Sequence, residues 1–306
     1  MKIGIIGAGA MGSLYGAKLS ALSENEVYLV DISRTQIDAV NEKGLVIERD
    51  GEAMGYHRLS GVFDAADAGI CELVIVFVKS TATGEAVQRN LALFGPETIA
   101  LTLQNGLGNG EAIREVLGEG NRVLAGTTAH GATMLSPGRI RHAGVGKTIL
   151  GEMGRPESEL ARTLAALFCR AGLETQVSDN VEGLIWDKLL VNAGINALTG
   201  LTGLCNGQLL EYPDLNSILS DAVLEGERVA LKKGVHLQFT DPVAHTRAVC
   251  EATAQNCSSM LQDLQAHRLT EIDTINGAIA KEGKRLGIPT PVNETLTRLI
   301  RYRQSL

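Results

Sequence analysis

The chain opens MKIGIIGAGAMG, a short apolar run from Ile3 to Ile6 followed at once by Gly7, Gly9 and Gly12. A strand that runs into glycines at this spacing, and then into a helix-favouring segment from Ser13 to Leu22, is the turn that holds a dinucleotide pyrophosphate. Gly7 permits the tight turn, Gly9 lets the backbone approach the phosphates, and Gly12 lets helix and strand pack closely, while the helix N terminus offers free N–H groups to the anion. The expected cofactor contacts are Gly7, Ala8, Gly9, Ala10, Met11 and Gly12. A second strand, Val27 to Val30, ends in Asp31. A carboxylate there accepts hydrogen bonds from the adenosine ribose hydroxyls and repels a 2′-phosphate, so Asp31 favours NADH over NADPH. Arg34 could swing toward a phosphate, although an exposed helix-start arginine is the plainer reading.

The first half alternates short β-rich runs with helical segments. Lys2 to Ile6, Val27 to Val30, Leu73 to Val78, Thr98 to Leu103 and Val123 to Thr127 read as strands, several of them apolar on both faces, as in a parallel sheet covered by helices. The segment from Gly138 to Gly151 reads as a hairpin at the sheet edge, followed by a helix from Glu157 to Ala171 and a last strand from Leu173 to Val177. From Asn180 onward only helical periodicity is found, near 181–202, 214–234, 241–264, 271–286 and 292–303. The expected fold is α/β: an N-terminal Rossmann-type doubly wound sheet over residues 1–178 and an all-helical C-terminal domain over residues 179–306.

Within the apolar stretch Val181 to Leu201, Lys188, Asn192 and Asn196 recur at steps of four and so share one helix face. Burying an ammonium and two carboxamides costs several kcal/mol unless polar groups meet them. A solvated helix face would carry Glu, Lys and Arg, whereas Leu189, Leu190, Val191, Ile195 and Leu198 crowd both flanks. The row is expected to form one wall of an active site. Lys79 and Asn105 follow the strands ending at Val78 and Leu103, at the carboxyl ends where doubly wound sheets bind ligands. Asn105 can meet cofactor hydroxyls or the nicotinamide amide, and Lys79 a cofactor or substrate oxygen; a turn or helix-cap role is the plain alternative for Asn105. Asn256 and Ser259, three apart, are expected to share a helix face. Thr270-Glu271 reads as a helix start favoured by the helix dipole.

The formal net charge of −7 gives no nucleic-acid footprint, and no Lys/Arg cluster contradicts it. Five scattered cysteines without metal-ligand spacing indicate neither a disulfide framework nor a zinc site, which points to the cytoplasm. No run of about 20 apolar residues is available to span a membrane. The partner these features suit is a small molecule, with no metal required and no nucleic acid or membrane; a homodimer is compatible with the sequence.

Taken together, GAGAMG, Val78-Lys79, Asn105-Gly106-Leu107-Gly108, Pro137-Gly138, Trp186 to Asn192, Ile195-Asn196, Asn206-Gly207, Ser258 to Asp263 and Thr270 to Gly277 resemble the ketopantoate reductase (2-dehydropantoate 2-reductase) family over nearly the whole chain. The resemblance implies reduction of the 2-keto acid 2-dehydropantoate to (R)-pantoate with NAD(P)H, in pantothenate biosynthesis. It makes Lys188 the general acid, supported by Glu271. It makes Asn105, Lys188, Asn192, Asn196, Asn206, Asn256 and Ser259 substrate contacts, with Lys79 and Asn105 close to the cofactor. One departure stands out. The family commonly has a basic residue where this chain has Asp31, in keeping with its usual NADPH preference. A related branch that the chain also resembles uses NAD on D-2-hydroxy acids such as mandelate, and a non-catalytic dinucleotide-binding redox sensor is the remaining alternative.

Overall fold

The computed structural model describes residues 1–306 apart from Asp50, Arg58 and Glu119. The chain divides into two compact units, one of Met1–Gln104 and Gly108–Val181, the other of Asn105–Leu107 and Glu182–Leu306. The expected boundary at residue 178 thus moves to Val181. The short segment Asn105–Leu107 packs in the second unit although it lies deep within the first in sequence.

In order, the first unit contains β1 (Lys2–Ile6), α1 (Ala10–Ser20), β2 (Glu26–Val30), α2 (Arg34–Lys43), β3 (Leu45–Arg49), β4 (Glu52–His57), β5 (Ser60–Val62), α3 (Ala65–Ala68) and β6 (Leu73–Val76). It continues with α4 (Thr83–Arg89), β7 (Ile99–Thr102), α5 (Asn109–Leu117), β8 (Arg122–Thr128), β9 (Gly131–Ser136), β10 (Arg139–Gly144), β11 (Thr148–Glu152), α6 (Glu159–Arg170) and β12 (Thr175–Val177). An eight-stranded sheet runs β12-β11-β8-β7-β6-β1-β2-β5. Its neighbours pair in parallel except β11 with β8. The chain winds outward from β1 through β2 to β5, then returns to the other side of β1 at β6. The β1/β6 boundary is therefore the switch point at which such sheets open a ligand crevice.

A second sheet, β4-β3-β10-β9, has no counterpart in the sequence-based expectation. It changes the reading of 138–151. That segment is not one hairpin: β10 pairs antiparallel with β9 in the second sheet, around Pro137-Gly138, while β11 joins β8 in the main sheet. His130 and His142 pin the β9–β10 ribbon through a buried Nδ1–Nε2 hydrogen bond of 3.1 Å. Helix α1 is buried on nearly every side because Leu14, Tyr15, Ala17 and Leu19 share one core with Ile3, Ile5 and Leu29 of the main sheet and with Leu45, Ile47 and Ile140 of the second. An amphipathic stripe would be wrong for a helix with apolar neighbours all round.

The second unit contains α7 (Val181–Thr202, whose first residue belongs to the first unit), α8 (Pro213–Lys233), α9 (Pro242–Ala252), α10 (Ser259–Gln265), α11 (Asn276–Leu286) and α12 (Pro291–Arg303). The expected helix over 241–264 is broken between α9 and α10, where Ser258 accepts the Leu261 N–H and starts a new helix. The expected helix over 271–286 is likewise shorter. Ile272–Thr274 forms a single 3-10 turn, and α11 begins at Asn276. Trp186, Leu189, Leu190 and Ala193 of α7 anchor the unit's core. A buried polar chain holds α7 in register. Glu225 accepts the Val292 and Asn293 backbone N–H groups at the start of α12, Asn293 pairs with Asn276, and Asn276 donates to the Ala193 carbonyl at 3.0 Å. Leaving any one of these buried groups unpaired would cost about 1–3 kcal/mol, so the chain fixes the axial position of α7.

Candidate active site

In the first unit, the glycine turn has the geometry of a phosphate cradle. Gly7 adopts φ +103°, and a Cβ there would lie 2.9 Å from the Phe77 carbonyl carbon. A Cβ on Gly12 would lie 1.9 Å from the Gly7 carbonyl oxygen, so only glycine lets α1 sit this close to β1. Gly9 faces open space, with no atom within 4 Å of where a Cβ would stand. That is the room a pyrophosphate needs beside the N terminus of α1. Asp31 closes the turn from the end of β2: its Oδ2 accepts the Ala8 N–H at 2.6 Å and its Oδ1 accepts the Ser33 N–H at 2.8 Å. A cleft of about 220 Å³ opens here, lined among others by Gly7, Asp31, Ile32, Phe63, Val78 and Arg89. The Arg34 guanidinium lies over the Phe63 ring, 4.8 Å from its centroid. The open glycine turn, the helix N terminus and the Asp31 carboxylate have the chemistry to hold a nicotinamide dinucleotide. Phe63 had no sequence signal, because the strand before it, Ser60–Val62, is too short and glycine-bearing to show a period.

At the carboxyl end of β6, Lys79 is exposed. The loop behind it is tied by Gln104, whose Nε2 donates to the Val78 carbonyl at 2.6 Å and to Thr83 Oγ1 at 2.9 Å. Thr83 in turn donates to Asn109 at 2.8 Å. Gln104 is thus a positioning residue that the sequence did not single out.

In the second unit, Lys188 and Asn192 form a partly exposed stripe on α7, and buried residues flank them on both sides. Asn196 continues the row and is buried. Removal from water lowers the Lys188 ammonium from the ordinary lysine value to about 8, and the negative charge of Glu271 partly offsets that fall. Glu271 precedes the 3-10 turn and is itself buried. Its Oε2 accepts a hydrogen bond from Asn105 Nδ2 at 3.5 Å. The loop holding Asn105 is locked by the Leu107 N–H, which donates to the Thr274 carbonyl at 2.9 Å. Gly106 has φ +84°, and a Cβ there would lie 2.6 Å from Thr274 Oγ1. Lysine, carboxylate and carboxamide therefore converge, and such a set can hold a proton and present it to a developing oxyanion.

The remaining expected contacts are less uniform. Asn206 is buried. Its Nδ2 donates to Thr253 Oγ1 at 2.9 Å, and its Oδ1 is buried without a partner. Asn256 and Ser259 do not share a helix face, since Asn256 is an exposed residue of the loop before α10 and Ser259 is its exposed first residue. The hydroxyl that docks on α7 is the neighbouring Ser258, which receives a hydrogen bond from Thr199 at 2.7 Å. Its role as helix cap hid that contact.

Two family models match the chain: Ketopantoate reductase PanE/ApbA over residues 3–155, and Ketopantoate reductase PanE/ApbA C terminal over residues 180–304. The chain belongs to the ketopantoate reductase family. It is 38% identical to the 2-dehydropantoate 2-reductase of Halobacterium salinarum, covering 99% of each chain. It is 35% identical to that of Pyrococcus horikoshii over 100% of this chain and 98% of the relative. Among solved structures, a PanE/ApbA family ketopantoate reductase from Ralstonia eutropha superposes with TM-score 0.91 at 33% identity, covering 100% of this chain and 99% of that one. The ternary structure of D-mandelate dehydrogenase with NADH and anilino(oxo)acetate superposes with TM-score 0.93 at 31% identity, over 100% and 99% of the two chains. Among the described residues no helix is long and apolar enough to cross a membrane.

Proposed function

We propose that the chain is a 2-dehydropantoate 2-reductase that reduces the 2-keto group of ketopantoate to give (R)-pantoate, with Lys188 as general acid. The observation that carries this reading is the convergence of Lys188, Glu271 and Asn105, with the lysine set between buried apolar neighbours of α7 and its ammonium lowered to about 8. A non-catalytic sensor would have no use for it. When bound, a reduced nicotinamide would supply hydride to the keto carbon. As negative charge grows on the carbonyl oxygen, Lys188 Nζ donates first a hydrogen bond and then its proton to that oxygen. A lysine near 8 is still largely protonated at neutral pH yet gives up its proton more readily than one at its ordinary value. Glu271 keeps the ammonium charged, and Asn105 holds the Glu271 carboxylate in place. Asn192 and Asn196 offer carboxamides along the same face to the substrate carboxylate and hydroxyl, and Asn206, Asn256 and Ser259 complete the contacts. Lys79 is assigned to the cofactor side.

The cofactor in this reading is NADH, because both oxygens of Asp31 are already fixed by backbone N–H groups and the carboxylate cannot turn away from a 2′-phosphate. The five cysteines are all free thiols, which fits a reducing cytoplasm. The same Asp31 favours a second reading, an NAD-dependent D-2-hydroxy acid dehydrogenase of the mandelate type. The test is a steady-state assay at the reduced-nicotinamide absorbance band with ketopantoate, 2-ketoisovalerate and benzoylformate. The highest kcat/KM is expected for ketopantoate. A higher value for benzoylformate would establish the second reading, and no turnover with any of the three would overturn both.

A further inference from the structure

Cys205 and Cys257 lie 52 residues apart in sequence, yet their Sγ atoms are 4.0 Å apart. We propose that these two thiols form a reversible disulfide that ties the loop after α7 to the loop before α10 and thereby controls substrate binding at Asn206 and Asn256.

The backbone around both cysteines is already set. Asn206 N–H donates to the Asn256 carbonyl at 3.1 Å, and Gly207 N–H donates to the Ala254 carbonyl at 3.1 Å, so the two loops run side by side. A Cβ on Gly207 would come within 2.6 Å of the Ala254 Cβ, which shows how close the loops are. The Cys205 N–H donates to Gln208 Oε1, and the Cys257 carbonyl accepts from Gln262 Nε2, both at 2.9 Å. With the two loops held side by side, the 4.0 Å gap closes to the bond length of about 2.05 Å by side-chain rotation and a small approach of the loops, which shifts Asn206 and Asn256 with them. Both are reachable by a small oxidant, Cys257 being exposed and Cys205 partly so, whereas Cys71 and Cys250 are buried and Cys169 has no partner sulfur.

The oxidant is a low-molecular-weight disulfide. One protein thiolate attacks it and releases one small thiol; the second protein thiolate attacks the resulting mixed disulfide and releases the other. The protein loses two protons and two electrons, and the oxidant becomes two thiols. Partial loss of water contact and the neighbouring Cys205 thiol push the Cys257 thiol up, and because the thiolate is the attacking species closure is faster in alkaline solution. The immediate neighbours of the pair are Asn206 and Asn256, which are substrate contacts in the function proposed above. The effect on substrate rests on that reading; formation of the bond does not.

The experiment incubates the full chain with oxidised glutathione at mildly alkaline pH, then counts thiols in denaturant, maps peptides without reductant and measures KM for ketopantoate and for NADH. The expected result is a fall from five thiols by one pair, a single cross-linked peptide pair joining Cys205 to Cys257, and a several-fold rise in the ketopantoate KM that dithiothreitol reverses. Cys205→Ser and Cys257→Ser should each abolish the cross-link and the KM response. Unchanged thiol content, or glutathione attached to Cys169 with no cross-link, would overturn the disulfide. A mapped disulfide with an unchanged ketopantoate KM would overturn its control of substrate binding, and a mapped disulfide in a protein that has no turnover even when reduced would instead count against the function proposed above.

Discussion

Asn105 and Glu271, 166 residues apart in sequence, meet through a 3.5 Å hydrogen bond between Nδ2 and Oε2. The bond draws a loop that interrupts the dinucleotide-binding unit into the helical unit, beside the carboxylate that acts on Lys188. Its consequence is electrostatic, because a fixed Glu271 sets how strongly the ammonium is retained.

Substitution Glu271→Gln removes the charge that raises the Lys188 pKa while keeping the hydrogen-bonding shape. Reduction needs protonated Lys188, so kcat/KM for keto-acid reduction is expected to fall as pH rises through about 8 in the unaltered protein. In the variant the fall should begin at lower pH, with kcat reduced more than KM changes. A pH profile that breaks at the same point in both proteins would remove Glu271 from the control of Lys188.

Asp31→Ala deletes the carboxylate that would face a 2′-phosphate. The ratio of kcat/KM for NADH to that for NADPH should fall by about fivefold or more, since a like-charge contact is worth about 1 kcal/mol even at the dielectric of bulk water and more near a protein surface. The variant also loses the brace on the Ala8 N–H, so a modest loss with NADH itself is expected. An unchanged ratio would mean that Arg34, Arg89 or another group sets the preference.

Gly106→Ala tests the loop lock. An alanine at φ +84° is strained, and its Cβ would lie 2.6 Å from Thr274 Oγ1 and 2.8 Å from the Thr274 carbonyl oxygen. The expected cost is about 1–3 kcal/mol in chemical denaturation, with turnover falling as Asn105 is displaced from Glu271. Unaltered stability would contradict the packing of this loop in the second unit.

What the sequence makes legible is what local spacing encodes. The apolar run before Gly7 and the carboxylate at Asp31 locate the first two strands and the cofactor turn, because glycine conformation and strand length are local properties. Lys188 and Asn192 are legible for the same reason, as an i,i+4 pair in an apolar background. The second sheet is not. Two of its pairings shift register at irregularities, and β10 pairs in parallel with β3, nearly a hundred residues earlier. The meeting of Asn105 with Glu271 likewise leaves no periodic trace, and the helix break at Ser258 turned an expected shared face for Asn256 and Ser259 into a loop residue and a helix start.

The central claim is that Lys188 delivers the proton to the substrate oxygen, and Lys188→Ala tests it most directly. With cofactor affinity measured by fluorescence titration and turnover measured at saturating ketopantoate, the account predicts an unchanged cofactor Kd and a kcat lower by about 10²–10⁴-fold, the usual contribution of a positioned general acid. A variant that turns over at close to the original rate would contradict it.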